Sequence, residues 1–242
     1  MSGHSKWATI KRKKGANDAQ RAKVLTKIGR EIVVAVRTGG GGDPTTNAKL
    51  RAVIAKAKAN NVPNDNIARS IKKGEGDTSS GNYEEIVYEG YGAAGVAVIV
   101  EATTDNKNRT AADMRHYFDK QGGNLGQSGS VSFMFQRLGV IMLEGIDESA
   151  QDDIMLEALD AGAQDIEFNE DMCEIKTEVK DFQKVHEYFE GKGFSISQAE
   201  IQYVPNTYAN VDNEADQAKL EKLFDLLDNN DDVMNYYHNM EE

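Results

Sequence analysis

GVIMLEGIDESAQDDIMLEALDAGAQDIEFNEDMCEIKTEVKDFQKVHEYFEGKGFSISQAEIQY, Gly139–Tyr203, alternates between the two hydrophobic periods that distinguish strand from helix. Val140–Leu143 is a short apolar run, and Glu148–Asp160 repeats its apolar residues at helical spacing. Asp165–Phe168 and Cys173–Thr177 have strand character, Phe182–Lys192 is helical, and Ser195–Tyr203 is extended. The order is βαββαβ, a ferredoxin-like unit. Within it, Cys173 shares its period with Ile175, which makes it a core thiol rather than a nucleophile.

Upstream, strand-like runs at Glu85–Glu89 and Val96–Ala102 precede a helix at Thr110–Lys120 and a further strand at Val131–Phe135, giving ββαβ. Downstream, an amphipathic helix at Glu214–Leu227 and a short apolar piece at Val233–Tyr237 supply the α and β that this segment lacks. The ferredoxin-like unit is therefore inserted into a second α/β domain. Before both stands EGDTSSGN, Glu75–Asn82, which has no apolar residue and reads as a linker. The expected organisation is an α+β multidomain chain. Residues 1–74 form an all-α basic domain, 75–82 a linker, 83–137 plus 205–242 a discontinuous α/β domain, and 138–204 the inserted ferredoxin-like domain.

The N-terminal segment is helical by pattern. Leu25, Ile28, Ile32 and Val36 mark one helical face, and Lys23, Lys27, Arg30 and Arg37 lie opposite it. Gly39–Gly42 ends that helix, and Asp43-Pro44 signals the start of the next. In this second helix Leu50, Val53, Ile54 and Ala57 are apolar, and Lys49, Arg51, Lys56 and Lys58 flank them. Pro63-Asn64-Asp65 opens a third helix with Ile67 and Ile71 inward, Arg69, Lys72 and Lys73 outward, and Gly74 as its C-cap.

Charge is segregated along the chain. Met1–Gly74 carries 17 Lys and Arg against four acids, a surplus of +13, whereas the rest carries −25 and the whole −12. A domain this basic beside one this acidic points to a polyanionic partner for the first. The arm GHSKWATIKRKK, Gly3–Lys14, interleaves Lys6, Lys11, Arg12, Lys13 and Lys14 with Trp7. Lys and Arg displace counterions from phosphates. An indole among them serves base stacking, or else plugs the helical core together with Ile10.

Other chemistries find little support. No apolar run approaches the roughly 20 residues of a membrane helix, and the N-terminus lacks a secretory signal core, so a cytoplasmic protein without a membrane partner is expected. A single cysteine excludes an internal disulfide framework, and His4, His116, His186 and His238 show no metal-ligand spacing. Gly122–Ser130, GGNLGQSGS, follows a helix and precedes a strand, the reverse of a phosphate-cradling loop, and reads as a flexible connector. In TDNKNRT, Thr104–Thr110, the Asn and Asp residues are helix caps, and Arg109 is a candidate phosphate contact. DNNDD, Asp228–Asp232, lacks the glycine and distal glutamate of a calcium loop. No cofactor, small-molecule substrate or enzymatic activity is expected.

GHSKW (3–7), REI (30–32), GGGDP (40–44), LR (50–51), VPNDNI (62–67), IKKG (71–74), YEGYG (88–92), TDNKNRT (104–110) and GGNLGQSGSV (122–131) resemble the YebC/PmpR family. The resemblance spans the chain and implies a helical domain followed by two α/β domains. It also implies a cytoplasmic DNA-binding transcriptional regulator. Mitochondrial relatives are translational activators, and bacterial ones have also been placed at the ribosome, where they ease synthesis of proline-rich stretches. DNA, ribosomal RNA and the ribosome are thus the expected partners. The chain departs from the family pattern with Ala22 for a common glycine, Ala93-Ala94 for Pro-Gly, and FMF (133–135) where tryptophan often leads.

Overall fold

The computed structural model describes residues 18–76 and 83–241. Three helices come first: α1 Asp18–Thr38, α2 Ala48–Ala59 and α3 Asn64–Glu75. Their core joins Ile28, Ile32, Ala35 and Val36 of α1 to Leu50 and Ala57 of α2, with Val62 and Ile67 closing it. Of the predicted apolar stripe of α1, Ile28, Ile32 and Val36 are buried and Leu25 packs half-buried against them. Farther along, Val33 and Val34 are buried as well, so the last turns of α1 are enclosed on more than one side.

Two local starts and stops differ from the sequence reading. The second helix begins at Ala48 rather than at Asp43-Pro44, because buried Asn47 is the better cap. Its Oδ1 accepts from the Leu50 N–H at 2.9 Å, and its Nδ2 donates to the Ala35 and Gly41 carbonyls at 2.8 Å each, tying α2 to the end of α1. Asp43 instead holds a turn through the Thr45 N–H at 2.8 Å. Gly74 is not a cap; it lies inside α3, where a Cβ would fall 2.7 Å from Val36 Cβ, so its role is to let α3 approach α1.

The α/β remainder contains two four-stranded sheets. The first has the order β3-β1-β2-β8, built from β1 Glu84–Tyr91, β2 Ala97–Thr104, β3 Asn124–Leu125 and β8 Val233–His238. Its three pairings are antiparallel, with Tyr88 opposite Val100, Tyr91 opposite Asn124 and Val100 opposite Tyr236. Helices α4 Lys107–Lys120 and α7 Glu214–Asn229 cover it. Val98 and Val100 meet Met114, Phe118, Leu220, Leu223 and Leu227 in one core. The third strand is Asn124–Leu125, not the expected Val131–Phe135; there Ser132–Met134 form a 3-10 turn between buried Val131 and Phe135.

The second sheet has the order β5-β6-β4-β7, with β4 Phe135–Glu144, β5 Ala163–Asn169, β6 Met172–Glu178 and β7 Ser195–Pro205. Helices α5 Gln151–Ala161 and α6 Phe182–Gly191 intervene, so this is the ferredoxin-like βαββαβ unit read from the sequence. Ile141, Cys173, Ile175, Val185 and Phe189 share its core. Gln136–Val204 is one compact unit, and the helical segment forms a second with the remaining α/β residues. The chain is thus an α+β protein in which the ferredoxin-like part interrupts the α/β part before it.

The β1–β2 hairpin turns through Ala94 (φ 53°, ψ 19°) and Gly95 (φ 74°), closed by the Gly92 N–H on the Val96 carbonyl at 2.8 Å. Two successive left-handed residues are what a tight hairpin needs, and glycine adopts that conformation without the Cβ penalty of about 1–2 kcal/mol. Ala94→Gly should therefore raise the stability measured by urea unfolding by roughly 0.5–1 kcal/mol, after the greater chain entropy of glycine is subtracted. A lower unfolding midpoint would show that the turn carries no strain at Ala94.

Candidate nucleic-acid interface

The basic residues divide into those engaged within the fold and those presented to solvent. Lys27 and Arg30, one turn apart on α1, face the end of α7. Lys27 Nζ donates to the Asp228 carbonyl at 3.2 Å, where the negative end of the α7 dipole favours a cation. Arg30 Nη1 donates to the Asp231 carbonyl at 2.7 Å and to Asp232 Oδ1 at 3.0 Å, with its guanidinium 5.9 Å from the centre of the Tyr83 ring. Arg109, at the start of α4, reaches the same carboxylate from the other side, with Nη2 at 2.7 Å from Asp232 Oδ2 and 2.9 Å from Asp105 Oδ1.

Asp232 is thus the junction between the helical segment and the first sheet. Its carboxylate also accepts from Thr110 Oγ1 at 2.9 Å and Thr104 Oγ1 at 3.2 Å, and its carbonyl accepts from the Thr103 N–H at 2.7 Å. Burial by itself would raise the carboxyl pKa. The Arg109 and threonine hydrogen bonds outweigh it and hold Asp232 below the ordinary 3.8. Around it Arg30, Tyr83, Asp105, Arg109, Asp113, Asn230 and Asp231 line a polar cleft of about 300 Å³. TDNKNRT does supply a cap, since Asn106 Oδ1 accepts from the Arg109 N–H at 3.1 Å. DNNDD supplies the carboxylate. Within DNNDD nothing local singles out Asp232; the available signal is that these two polar motifs stand in otherwise well-patterned segments.

Other bases are occupied locally. Lys49 Nζ lies 2.6 Å from Glu85 Oε2, an exposed pair worth little, and Lys56 Nζ lies 3.0 Å from Glu31 Oε1. Arg51 braces the loop before α2 through the Pro44 and Thr45 carbonyls at 2.9 and 2.8 Å. Arg37 is half-buried and has interactions of its own. Lys58, Arg69, Lys72 and Lys73 are exposed and form no ion pair among the described residues. Arg69, Lys72 and Lys73 stand at i, i+3 and i+4 on α3, so they share one face. Lys6, Trp7, Lys11, Arg12, Lys13 and Lys14 lie outside the described residues, as does the side chain of Lys23.

The glycine-rich stretch Gly122–Ser130 is a built loop rather than a loose connector. Buried Glu89 on β1 accepts three backbone N–H bonds from it and the following turn: Gly129 at 2.8 Å, Val131 at 2.9 Å and Ser132 at 2.8 Å. Burial pushes the Glu89 carboxyl up, but these backbone donors win and hold it below its ordinary 4.5. Tyr91 Oη donates to the Ser130 carbonyl at 3.0 Å, fixing the loop a second time. Cys173 is fully buried, and burial together with the neighbouring Glu174 charge pushes its thiol up to about 12, which leaves it inert at neutral pH. Among the described residues no helix is long and apolar enough to cross a membrane.

Comparison with known proteins agrees with this architecture. Residues 5–77 match the model of the TACO1/YebC protein N-terminal domain, and residues 83–240 that of the TACO1/YebC second and third domain. A probable transcriptional regulatory protein of Ruminiclostridium cellulolyticum is 55% identical over 242 residues, covering 100% of this chain and 97% of its own. One of Acetivibrio thermocellus with the same description is 54% identical over 239 residues, covering 99% and 98%. The crystal structure of a conserved hypothetical protein of Aquifex aeolicus superposes with a TM-score of 0.83 at 41% identity, covering 93% of this chain and 91% of the other. With both family models matched in order and relatives at this identity along its whole length, the chain belongs to the TACO1/YebC family.

Proposed function

We propose that the chain is a non-enzymatic, cytoplasmic regulator of gene expression that binds DNA through its basic helical domain, residues 1–74. The observation that carries this reading is the exposed basic face of α3. Arg69, Lys72 and Lys73 form no ion pair among the described residues, although residues 83–135 and 205–241 of the acidic remainder lie within the same compact unit. The connection between α1 and α2, residues 39–47, is too long for a helix-turn-helix, so the reading is one of phosphate contact rather than sequence-specific base readout. The names of the relatives, probable transcriptional regulatory proteins, point the same way.

Replacing Arg69, Lys72 and Lys73 together by Gln should weaken duplex binding about equally for unrelated sequences. It should also flatten the slope of log K against log salt by about 0.9 for each phosphate that is no longer neutralised. An unchanged slope would show that α3 is only solvated. Since counterion release operates on any polyanion, gradient fractionation of lysate with and without RNase separates the targets. Co-migration with ribosomes that RNase abolishes would assign the chain to ribosomal RNA and to translation instead.

A further inference from the structure

Phe133 is the most exposed large hydrophobic residue among those described, at 71%, although both ends of its turn are anchored. Val131 is fully buried and Phe135 nearly so. The Val131 and Ser132 N–H groups are clamped by Glu89, the Met134 N–H bonds to the Val131 carbonyl at 2.9 Å, and the Asn206 N–H bonds to the Met134 carbonyl at 2.8 Å. Hydrophobic collapse would draw a phenyl ring inward. This backbone instead holds it outward, with its main-chain conformation already fixed. The surroundings are also unusual for a chain with 28% charged residues: Gln121–Gln136 contains no Asp, Glu, Lys or Arg. Exposed Asn124, Gln127 and Ser128 precede the turn, so amide and hydroxyl groups accompany the ring, and the acid bonded to the turn, Glu89, is buried.

We propose that Phe133 and its clamped turn form a stacking platform for an unpaired nucleobase, distinct from the basic face of α3. A fixed turn with one projecting aromatic, next to exposed amide and hydroxyl side chains, suits a base whose π-face is accessible, as in single strands, loops and bulges. A base inside a duplex keeps its faces stacked and its Watson–Crick edge paired. Preorganisation matters because a ring already held outward loses little entropy when a base stacks on it. The proposal rests on the reading of the chain as a nucleic-acid binder.

The test uses the full chain and a single strand of about a dozen nucleotides with a central 2-aminopurine, as DNA and as RNA. Phe133→Ala should weaken single-strand binding about fivefold to a hundredfold and abolish the quenching of 2-aminopurine that stacking produces. Phe133→Trp should retain both, and duplex affinity should be unchanged in either variant. Because Phe133 is exposed, Phe133→Ala should unfold at the same temperature as the parent. Equal affinity and quenching in Phe133→Ala would overturn stacking while leaving the duplex-binding function in place. Emission from Phe133→Trp that shifts on phosphatidylglycerol vesicles, but not on the oligonucleotide, would overturn it too, by assigning the ring to a lipid surface. If the unaltered chain binds neither strand nor duplex, the functional reading fails, and stacking with it.

Discussion

Asp232→Ala is expected to destabilise the protein by about 3 kcal/mol, the lower end of what breaking a buried ion pair costs, because Arg30 and Arg109 retain partial access to water. Thr104 and Thr110 lose an acceptor in the same step. Asp232→Asn keeps one carbonyl oxygen and should cost about half as much. The functional effect has the opposite sign. With Asp232 gone, Arg30 and Arg109 become available to phosphates, so affinity for nucleic acid at low ionic strength should rise. The gain should shrink toward about 0.15 M salt, where the Debye length is roughly 8 Å. Binding measured at two salt concentrations decides the matter. A variant that binds more weakly at both would show that the Asp232 junction serves to hold the helical segment in a binding pose, not to mask its arginines.

Glu89→Ala should have the largest effect on stability, about 3–5 kcal/mol by urea denaturation, because it leaves three backbone N–H groups at the Gly129–Ser132 turn without their acceptor. The pH dependence has a definite sign. A carboxyl held below its unfolded value contributes stability that is fully present above that value and is lost as pH falls through the folded one. For Glu89 the loss therefore begins below about 4.5, and Asp232 adds to it below about 3.8. In Glu89→Gln the acid limb of the stability profile should be shallower than in the parent. An identical limb in the two proteins would mean that Glu89 does not titrate against these donors. Hydrogen exchange at Gly129, Val131 and Ser132 offers a local check, since all three amides should lose protection in the variant.

The Gly139–Tyr203 unit is legible because each of its elements buries one face, and burial of one face imprints a period on the sequence. Val131–Phe135 mimics a strand for the same reason. Val131 and Phe135 are indeed both buried, but a 3-10 turn between two anchors puts apolar residues at the same spacing as a strand, and only the bond of Glu89 to the turn distinguishes them. Asn124–Leu125, two residues long, carries no period at all. Lys27, Arg30 and Arg109 are recognisable as bases. That Lys27 and Arg30 meet the end of α7 while Arg69, Lys72 and Lys73 stay open is not, since the Asp228 carbonyl and the Asp232 carboxylate that they meet lie 201 and 202 positions away in the chain.

By itself the sequence determined the class of each long element, the insertion of one α/β part into another, the concentration of positive charge before Gly74 and the family. All of these follow from local period, local composition or ordered motifs. The tertiary structure alone decided which charges are spent inside the fold. It brought Asp232 between Arg30 and Arg109, wrapped an uncharged loop around Glu89, and left Phe133 exposed. The reason is physical: a buried carboxylate needs donors converging from several directions, and they are recruited from whichever segments packing brings within about 3 Å, whatever their distance along the chain.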